Sequence, residues 1–172
     1  ETPSTWTVLP GPPHFTRALV EPEVVSAGQE VEVSCLALDR FGNDVDFSDA
    51  LVGVSPSGMG TRVDGRVISA TMAGTYQVIC PYPGATFDAA VLLVLPGPAE
   101  RLVATLDPAL PAYDIGMVVG YRAEVVDAFG NPIVGPNLSW SAEPELPSFG
   151  RGRFRFTQEG QYTLRVRLEE PT

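Results

Sequence analysis

Along most of this chain apolar and polar residues alternate with a period of two rather than 3.6, as in strands with one buried face. In Val31-Glu32-Val33-Ser34-Cys35-Leu36-Ala37 the odd positions are apolar, and in Tyr162-Thr163-Leu164-Arg165-Val166-Arg167-Leu168 the even ones are. No segment carries a capped apolar stripe of helical length. The 17 Gly and 17 Pro residues punctuate short runs, the habit of a sandwich or barrel. The pattern predicts an all-β chain with strands over Phe15–Val20, Gln29–Leu38, Ala50–Val54, Arg66–Met72, Thr75–Cys80 and Phe87–Leu95. A second set is predicted over Arg101–Leu106, Met117–Val126, Leu138–Ala142, Arg153–Thr157 and Gln161–Leu168.

The two sets repeat one plan. Leu9-Pro10-Gly11-Pro12 returns as Leu95-Pro96-Gly97-Pro98, Asp39-x-Phe41-Gly42-Asn43 as Asp127-x-Phe129-Gly130-Asn131, and Gly74-x-Tyr76 as Gly160-x-Tyr162, at offsets of 86, 88 and 86 residues. A fixed period of this kind means one supersecondary unit used twice. The expected organisation is a strand-like segment over 1–9, one domain over 10–96 and a second over 97–172. Two prolines and a glycine at the joint leave little slack, so a semi-rigid connection is expected. Each domain, at about 85 residues, is near the small end for a self-sufficient core.

Charge narrows the function classes. The net charge is -10, and all eleven basic residues are Arg. Such a chain is a poor match to nucleic acid, whose binding rests on clustered Lys and Arg. Acid is uneven: residues 1–100 carry 12 acidic and 4 basic side chains, and residues 101–172 carry 9 and 7. The longest apolar run, Ala89–Leu95, is far short of the ~20 residues of a membrane helix, so no membrane insertion is expected of this segment. The chain opens without a basic stretch followed by an apolar leader-like run.

Cys35 and Cys80 are the only cysteines, and alternation places Cys35 with Val31 and Val33, and Cys80 with Tyr76 and Val78, on inward faces. They are expected to meet as a disulfide between two sheets, on the second and penultimate strands as in immunoglobulin-like sandwiches; two reduced core cysteines are the alternative. A disulfide implies an oxidising compartment. The second repeat has Ala123 and Val166 at these positions and must hold without the staple. Trp140 is assigned to the core.

In the Asp-x-Phe-Gly-Asn motif, Asp39 and Asp127 are expected to end a strand through local hydrogen bonds. Phe41 and Phe129 are expected to fold over the core edge, and Gly42-Asn43 and Gly130-Asn131 to supply positive φ. A strand, this motif, and a later Gly-x-Tyr strand together resemble the bacterial Ig-like domains of invasin- and intimin-type surface proteins, and more loosely filamin-type repeats. The resemblance covers both repeats. It implies two tandem immunoglobulin-like β-sandwich domains in an extracellular stalk or adhesin, and it names no ligand-binding residue.

Other candidates carry less chemistry. Asp39, Asn43, Asp44, Asp46 and Asp49 form an oxygen-rich stretch that could suit calcium, or simply a solvated acidic loop. The second repeat has Pro132 and Val134 where the first has Asp44 and Asp46. Arg151, Arg153, Arg155, Arg165 and Arg167 form either a partner site for carboxylates or sulfates or a solvated face. Trp6, Tyr82 and Tyr113 are the aromatics without a clear core place. His14 is the single histidine, with no nucleophile patterned beside it, and no phosphate-loop, zinc or nucleophile-elbow motif occurs. No enzyme and no cofactor are expected.

The frame of the repeats supplies the sharpest expectation. Thr5-Trp6-Thr7-Val8-Leu9 precedes the first Leu-Pro-Gly-Pro as Val91–Leu95 precedes the second, while no counterpart of Phe87–Leu95 follows Tyr162. A sandwich without its last strand attracts an added one; the alternatives are a fragment of a longer array or a second repeat that closes with a short atypical edge. The expected function is a non-catalytic structural or adhesive module of a secreted or cell-surface protein, its partner a protein or neighbouring copies joined head to tail through Trp6 and Val8. The alternative is an accessory or carbohydrate-binding module of a secreted enzyme.

Overall fold

The computed structural model describes residues 4–58 and 60–169. The chain divides into two compact units, Glu1–Gly97 and Pro98–Thr172, and among the described residues it contains strands and no helix. Each unit is an immunoglobulin-like sandwich.

The first unit holds β1 (Phe15–Val20), β2 (Val24–Ser26), β3 (Glu30–Leu38), β4 (Gly53–Ser55), β5 (Thr61–Asp64), β6 (Val67–Ala70), β7 (Gly74–Ile79), β8 (Thr86–Asp88) and β9 (Ala90–Leu95). One sheet has the order β5-β6-β3-β1-β8 and the other β2-β9-β7-β4. Alternation decides the faces: in β3, Val31, Val33, Cys35 and Ala37 are buried and the residues between them are exposed. These side chains meet Tyr76, Val78, Leu92 and Val94 from the opposing sheet in one core.

Cys35 and Cys80 are joined in a disulfide with a Cα–Cα separation of 5.9 Å. Tyr76 buries its ring and donates its hydroxyl to the carbonyl of Met72, 2.9 Å away, and Tyr162 donates likewise to Gln158 at 3.0 Å. That corner, recurring at the same place in both units, is a mark of immunoglobulin-like folds.

Both ends of the first unit cross between sheets. β1 pairs with β3, and after the cis Glu21–Pro22 bond β2 pairs in parallel with β9. The predicted single strand Phe87–Leu95 is in fact two: β8 pairs in parallel with β1, and β9 lies between β7 and β2. Two short strands, β2 and β5, are additional to those predicted, and Ala50–Leu51 precedes rather than belongs to β4. Thr5–Leu9, expected as a strand, has none among the described residues, and residues 1–3 lie outside them. The physical reason is that a strand needs an open edge, and within this unit the corresponding place is already filled by β9.

The second unit holds β10 (Arg101–Asp107), β11 (Val118–Val126), β12 (Leu138–Glu143), β13 (Arg153–Arg155) and β14 (Thr163–Leu168). Its sheets are β10-β11-β13 and β12-β14. The pairing of β10 with β11 repeats that of β1 with β3, Arg101 facing Val126 as Phe15 faces Leu38. The core is smaller: Val119, Leu146, Phe154 and Phe156 are buried, while Tyr121, Trp140, Tyr162 and Leu164 pack on them half-buried. Trp140 stands edge-on to Tyr121, with ring centroids 5.5 Å apart.

Candidate functional site

The turn after β3 is built by a carboxylate. Asp39 is buried, and its Oδ1 accepts the N–H groups of Phe41 (2.8 Å) and Asn43 (3.0 Å). Its Oδ2 accepts the Asn43 side-chain amide (2.9 Å) and the Gly11 N–H (3.0 Å), tying the entering chain to the turn. The Asn43 amide, followed by the N–H groups of Asn43, Gly11 and Phe41, holds the Asp39 carboxyl well below the usual carboxylate range, against the opposing effect of burial. Asp127 makes the same bonds to Phe129 and Asn131.

Two expectations about this motif change. Phe41 is 74% exposed, lying under the Arg40 guanidinium at 4.7 Å, and Phe129 is 50% exposed. The buried side chains at the turn are Asp39, Asp127 and Asn131; hydrogen bonding to the carboxylate draws the polar groups inward and turns the phenyl rings out. Gly42 and Gly130 adopt φ of +84° and +87°, but Asn43 and Asn131 are not left-handed and act as side-chain donors instead. In the oxygen-rich stretch both Asp39 oxygens face N–H donors, and Asp46 accepts from the Ser48 N–H at 3.0 Å. No cluster of three or more metal-ligating side chains occurs among the described residues.

The five arginines do not form one patch. Arg153 and Arg155 project from β13, with Arg155 over the Phe149 ring at 5.0 Å, while Arg165 and Arg167 project from β14 in the other sheet. Arg151 sits in the preceding turn with φ of +49°. Arg165 is ion-paired with Glu143 across the β12–β14 ladder. Tyr82 packs edge-on against Phe47 at 6.0 Å.

A groove of about 990 Å³ runs beside β1 and β9 in the first unit, and a smaller one, of about 510 Å³, lies in the second. Pro111, Ala112, Tyr113 and Ile115, from the segment between β10 and β11, line it. So do Gly160, Tyr162 and Leu164, from the start of β14 and the residues before it, together with Tyr121 and Phe156. Tyr113 is fixed there, its hydroxyl donating to the Pro108 carbonyl (2.8 Å) and accepting from the Leu110 N–H (3.0 Å), its ring 5.4 Å from that of Phe156. A second groove, lined by Leu102, Val125, Val166 and Leu168, runs by the other end of β14.

The 510 Å³ groove is lined by residues equivalent to those that flank the last strand of the first unit, whereas Arg101 and Leu102, in the groove by the other end of β14, correspond to Phe15 and Thr16, which pair with β8. β9 separates β2 from β7, with Tyr76 opposite Leu92 and Gly74 opposite Val94. At the 86-residue offset Leu110–Ala112 corresponds to β2 and Gly160–Arg165 to β7. Leu110–Ala112 forms no strand, and β14 begins only at Thr163. Among the described residues β14 has β12 as its one ladder partner. The groove-lining residues are hidden from sequence reading because Tyr113, Tyr162 and Leu164 read individually as ordinary core or edge positions.

No family model matches the chain, and no curated protein matches it. Among solved structures it is similar to invasin, described as a bacterial integrin-binding protein, at a TM-score of 0.54 and 16% identity over 89% of this chain and 36% of that one. It also matches FdeC, described as a broadly conserved Escherichia coli adhesin, at a TM-score of 0.46 and 19% identity over 89% of this chain and 59% of that one. The chain thus spans little more than half of one and about a third of the other. The likeness to invasin supports the all-β, immunoglobulin-like fold.

Proposed function

We propose that this chain is a non-catalytic structural and adhesive module of a secreted or cell-surface bacterial protein. Residues 10–96 and 97–172 serve as two immunoglobulin-like domains in series, and copies connect head to tail by strand donation. The observation that carries this reading is the contrast between a first unit completed by β9 and a second with an apolar groove at the corresponding place. The Cys35–Cys80 disulfide favours an oxidising, extracytoplasmic location. The fold shared with a bacterial integrin-binding protein favours a protein partner over a nucleic acid. No helix among the described residues is long and apolar enough to cross a membrane.

Light scattering on the full chain and on a chain lacking residues 1–9 tests the assembly. Oligomers that disappear on deletion support it, and a monomer in both cases removes it. Aromatic rings in the groove favour one rival, a carbohydrate-binding accessory module; a strong signal on a glycan array would put that reading first.

A further inference from the structure

Resting on the adhesive reading only for its protein partner, we infer that Arg122, Arg151 and Arg153 of the second unit form an anchor site for a carboxylate side chain of an acidic protein segment. The carboxylate enters a notch over Gly120.

The site is a groove of about 460 Å³ in the β10-β11-β13 sheet, lined chiefly by Asp107, Val118, Gly120, Arg122, Arg151 and Arg153. Asp107 faces Gly120 across one ladder and Gly120 faces Arg153 across the next, so the three form a row over the sheet. Arg122 is held by an ion pair with Asp107. Arg151 and Arg153 are exposed and have no ion-pair partner among the described residues. A carboxylate over Gly120 would therefore meet uncompensated guanidinium forks, whose planar donors match its two oxygens.

The first unit shows that this arrangement is not a by-product of the fold. The ladders fix the equivalence, since Arg101 faces Val126 as Phe15 faces Leu38, and Gly120 faces Arg153 as Glu32 faces Val67. At the places of Asp107, Val118, Gly120, Arg122, Arg151 and Arg153 the first unit has Glu21, Glu30, Glu32, Ser34, Gly65 and Val67. The sign of the charge is reversed. Where the first unit has the carboxylate of Glu32, the second has no side chain and arginines around the gap.

Two residue choices run against local stability and line the same groove. Gly120 lies inside β11, yet a Cβ there would meet nothing closer than the Asp107 carbonyl oxygen at 3.5 Å, an ordinary contact. Packing does not require the glycine, and glycine within a strand often marks the close approach of a ligand. Arg151 is the one non-glycine residue at positive φ among the described residues, at +49°, where the first unit has Gly65 at +62°. A left-handed arginine carries backbone strain that glycine avoids. Gly120 makes room and Arg151 adds charge. A densely sulfated glycan is disfavoured by the chain's net charge of -10, which repels polyanions. A single carboxylate on a partner of mixed charge escapes most of that repulsion, and the Asp107–Arg122 pair already seats one such group in the groove.

The test measures, by fluorescence anisotropy, the binding of a labelled peptide of alternating Asp and Ser to the full chain, with a labelled heparin fragment as the sulfated probe. The variants are Arg151→Gly, Gly120→Glu and, as a charge-matched control on β14 in the other sheet, Arg167→Ser. Arg151→Gly should weaken peptide binding about tenfold, the scale of one charge-assisted contact. Gly120→Glu, which installs the first unit's carboxylate, should weaken it at least as much, and Arg167→Ser should leave it within about twofold. Arg151→Gly should also leave the second unit's thermal transition in place or raise it, because strain is relieved, so its loss of binding is separate from folding and decides the matter independently of Gly120→Glu. An equal loss from Arg167→Ser would overturn the site by reducing it to net charge. Heparin bound through Arg151 with no binding of the peptide would overturn the carboxylate as ligand. Binding of neither probe would overturn the anchor site and leave the assembly of copies, read by light scattering, standing. Peptide binding that depends on Arg151 in a chain that stays monomeric would uphold the anchor site and remove strand donation.

Discussion

The two units place equivalent residues in equivalent ladders, yet one is closed and the other open. In the first, Cys80 is fully buried and disulfide-bonded to Cys35, and Leu92 and Val94 seal the core. In the second, Ala123 and Val166 stand in the cysteine positions half-buried, and Tyr162 and Leu164 border a groove. The turn chemistry is nearly identical in both. Local hydrogen bonding therefore sets the strand plan, while closure depends on the last strand and the cross-link, which only one unit has among the described residues.

The largest test of that contrast is the disulfide. In the chain-entropy model, closing a loop of this length contributes about 4 kcal/mol. Reduction, or the Cys35→Ala/Cys80→Ala pair, should lower the first unit's calorimetric transition steeply and leave the second unit's in place. Equal displacement of both would mean the units do not unfold separately.

Next is a pair of glycines in corresponding hairpin turns. A Cβ on Gly152, at φ +72°, would collide with the Tyr121 carbonyl oxygen and lie 2.8 Å from the Trp140 ring, whereas Gly65, at φ +62°, faces open space. Gly152→Ala should cost about 3 kcal/mol, combining backbone strain with overpacking. Gly65→Ala should cost only about 1 kcal/mol of strain. Equal losses in urea denaturation would show that the second unit relaxes around the extra carbon.

Gly42→Val and Gly130→Val probe what the units share. Both glycines are left-handed and open to solvent where a Cβ would stand, so each replacement should cost about 2 kcal/mol, by strain alone. A neutral result at either site would break the equivalence of the turns.

The smallest effect is one of pH. A carboxyl whose folded pKa is depressed contributes stability that is fully present above its unfolded value, about 4, and lost as pH falls toward the lowered folded value. The first unit should therefore lose stability progressively as pH falls below about 4, and Asp39→Asn should flatten that part of its pH profile. An unchanged slope in the variant would detach the turn from acid sensitivity.

Much of the fold is legible in the sequence because alternation and burial obey the same period. β1 follows its predicted bounds, and β3, β11 and β12 do so within a residue. The short β2 is not legible: Val24–Ser26 has no pattern of its own and is a strand only through its ladder to β9. β5 carries a usable signal in the Asp64-Gly65 turn before β6. The break between β8 and β9 is masked because Ala89–Leu95 is apolar throughout, although Val91, Leu93 and Leu95 face outward. The outward Phe41 and Phe129 defeat a reading by apolarity, because the hydrogen-bonding demand of the neighbouring carboxylate outweighs the burial of a ring. The apolar pattern at Trp6 and Val8 can be read from the repeat. The groove beside Tyr162 and Leu164 cannot, since each of its residues reads singly as a core or edge position.

The parallel ladders at the ends of the first unit also govern how it bears load. The chain enters β2 at one end of the β2–β9 ladder and leaves β9 at the other, so tension between the two ends of the unit slides the strands along each other and loads their hydrogen bonds together instead of unzipping them one by one. Should that clamp yield, the Cys35–Cys80 bond still withholds the 45-residue stretch between its ends, about 160 Å of contour at roughly 3.5 Å per residue.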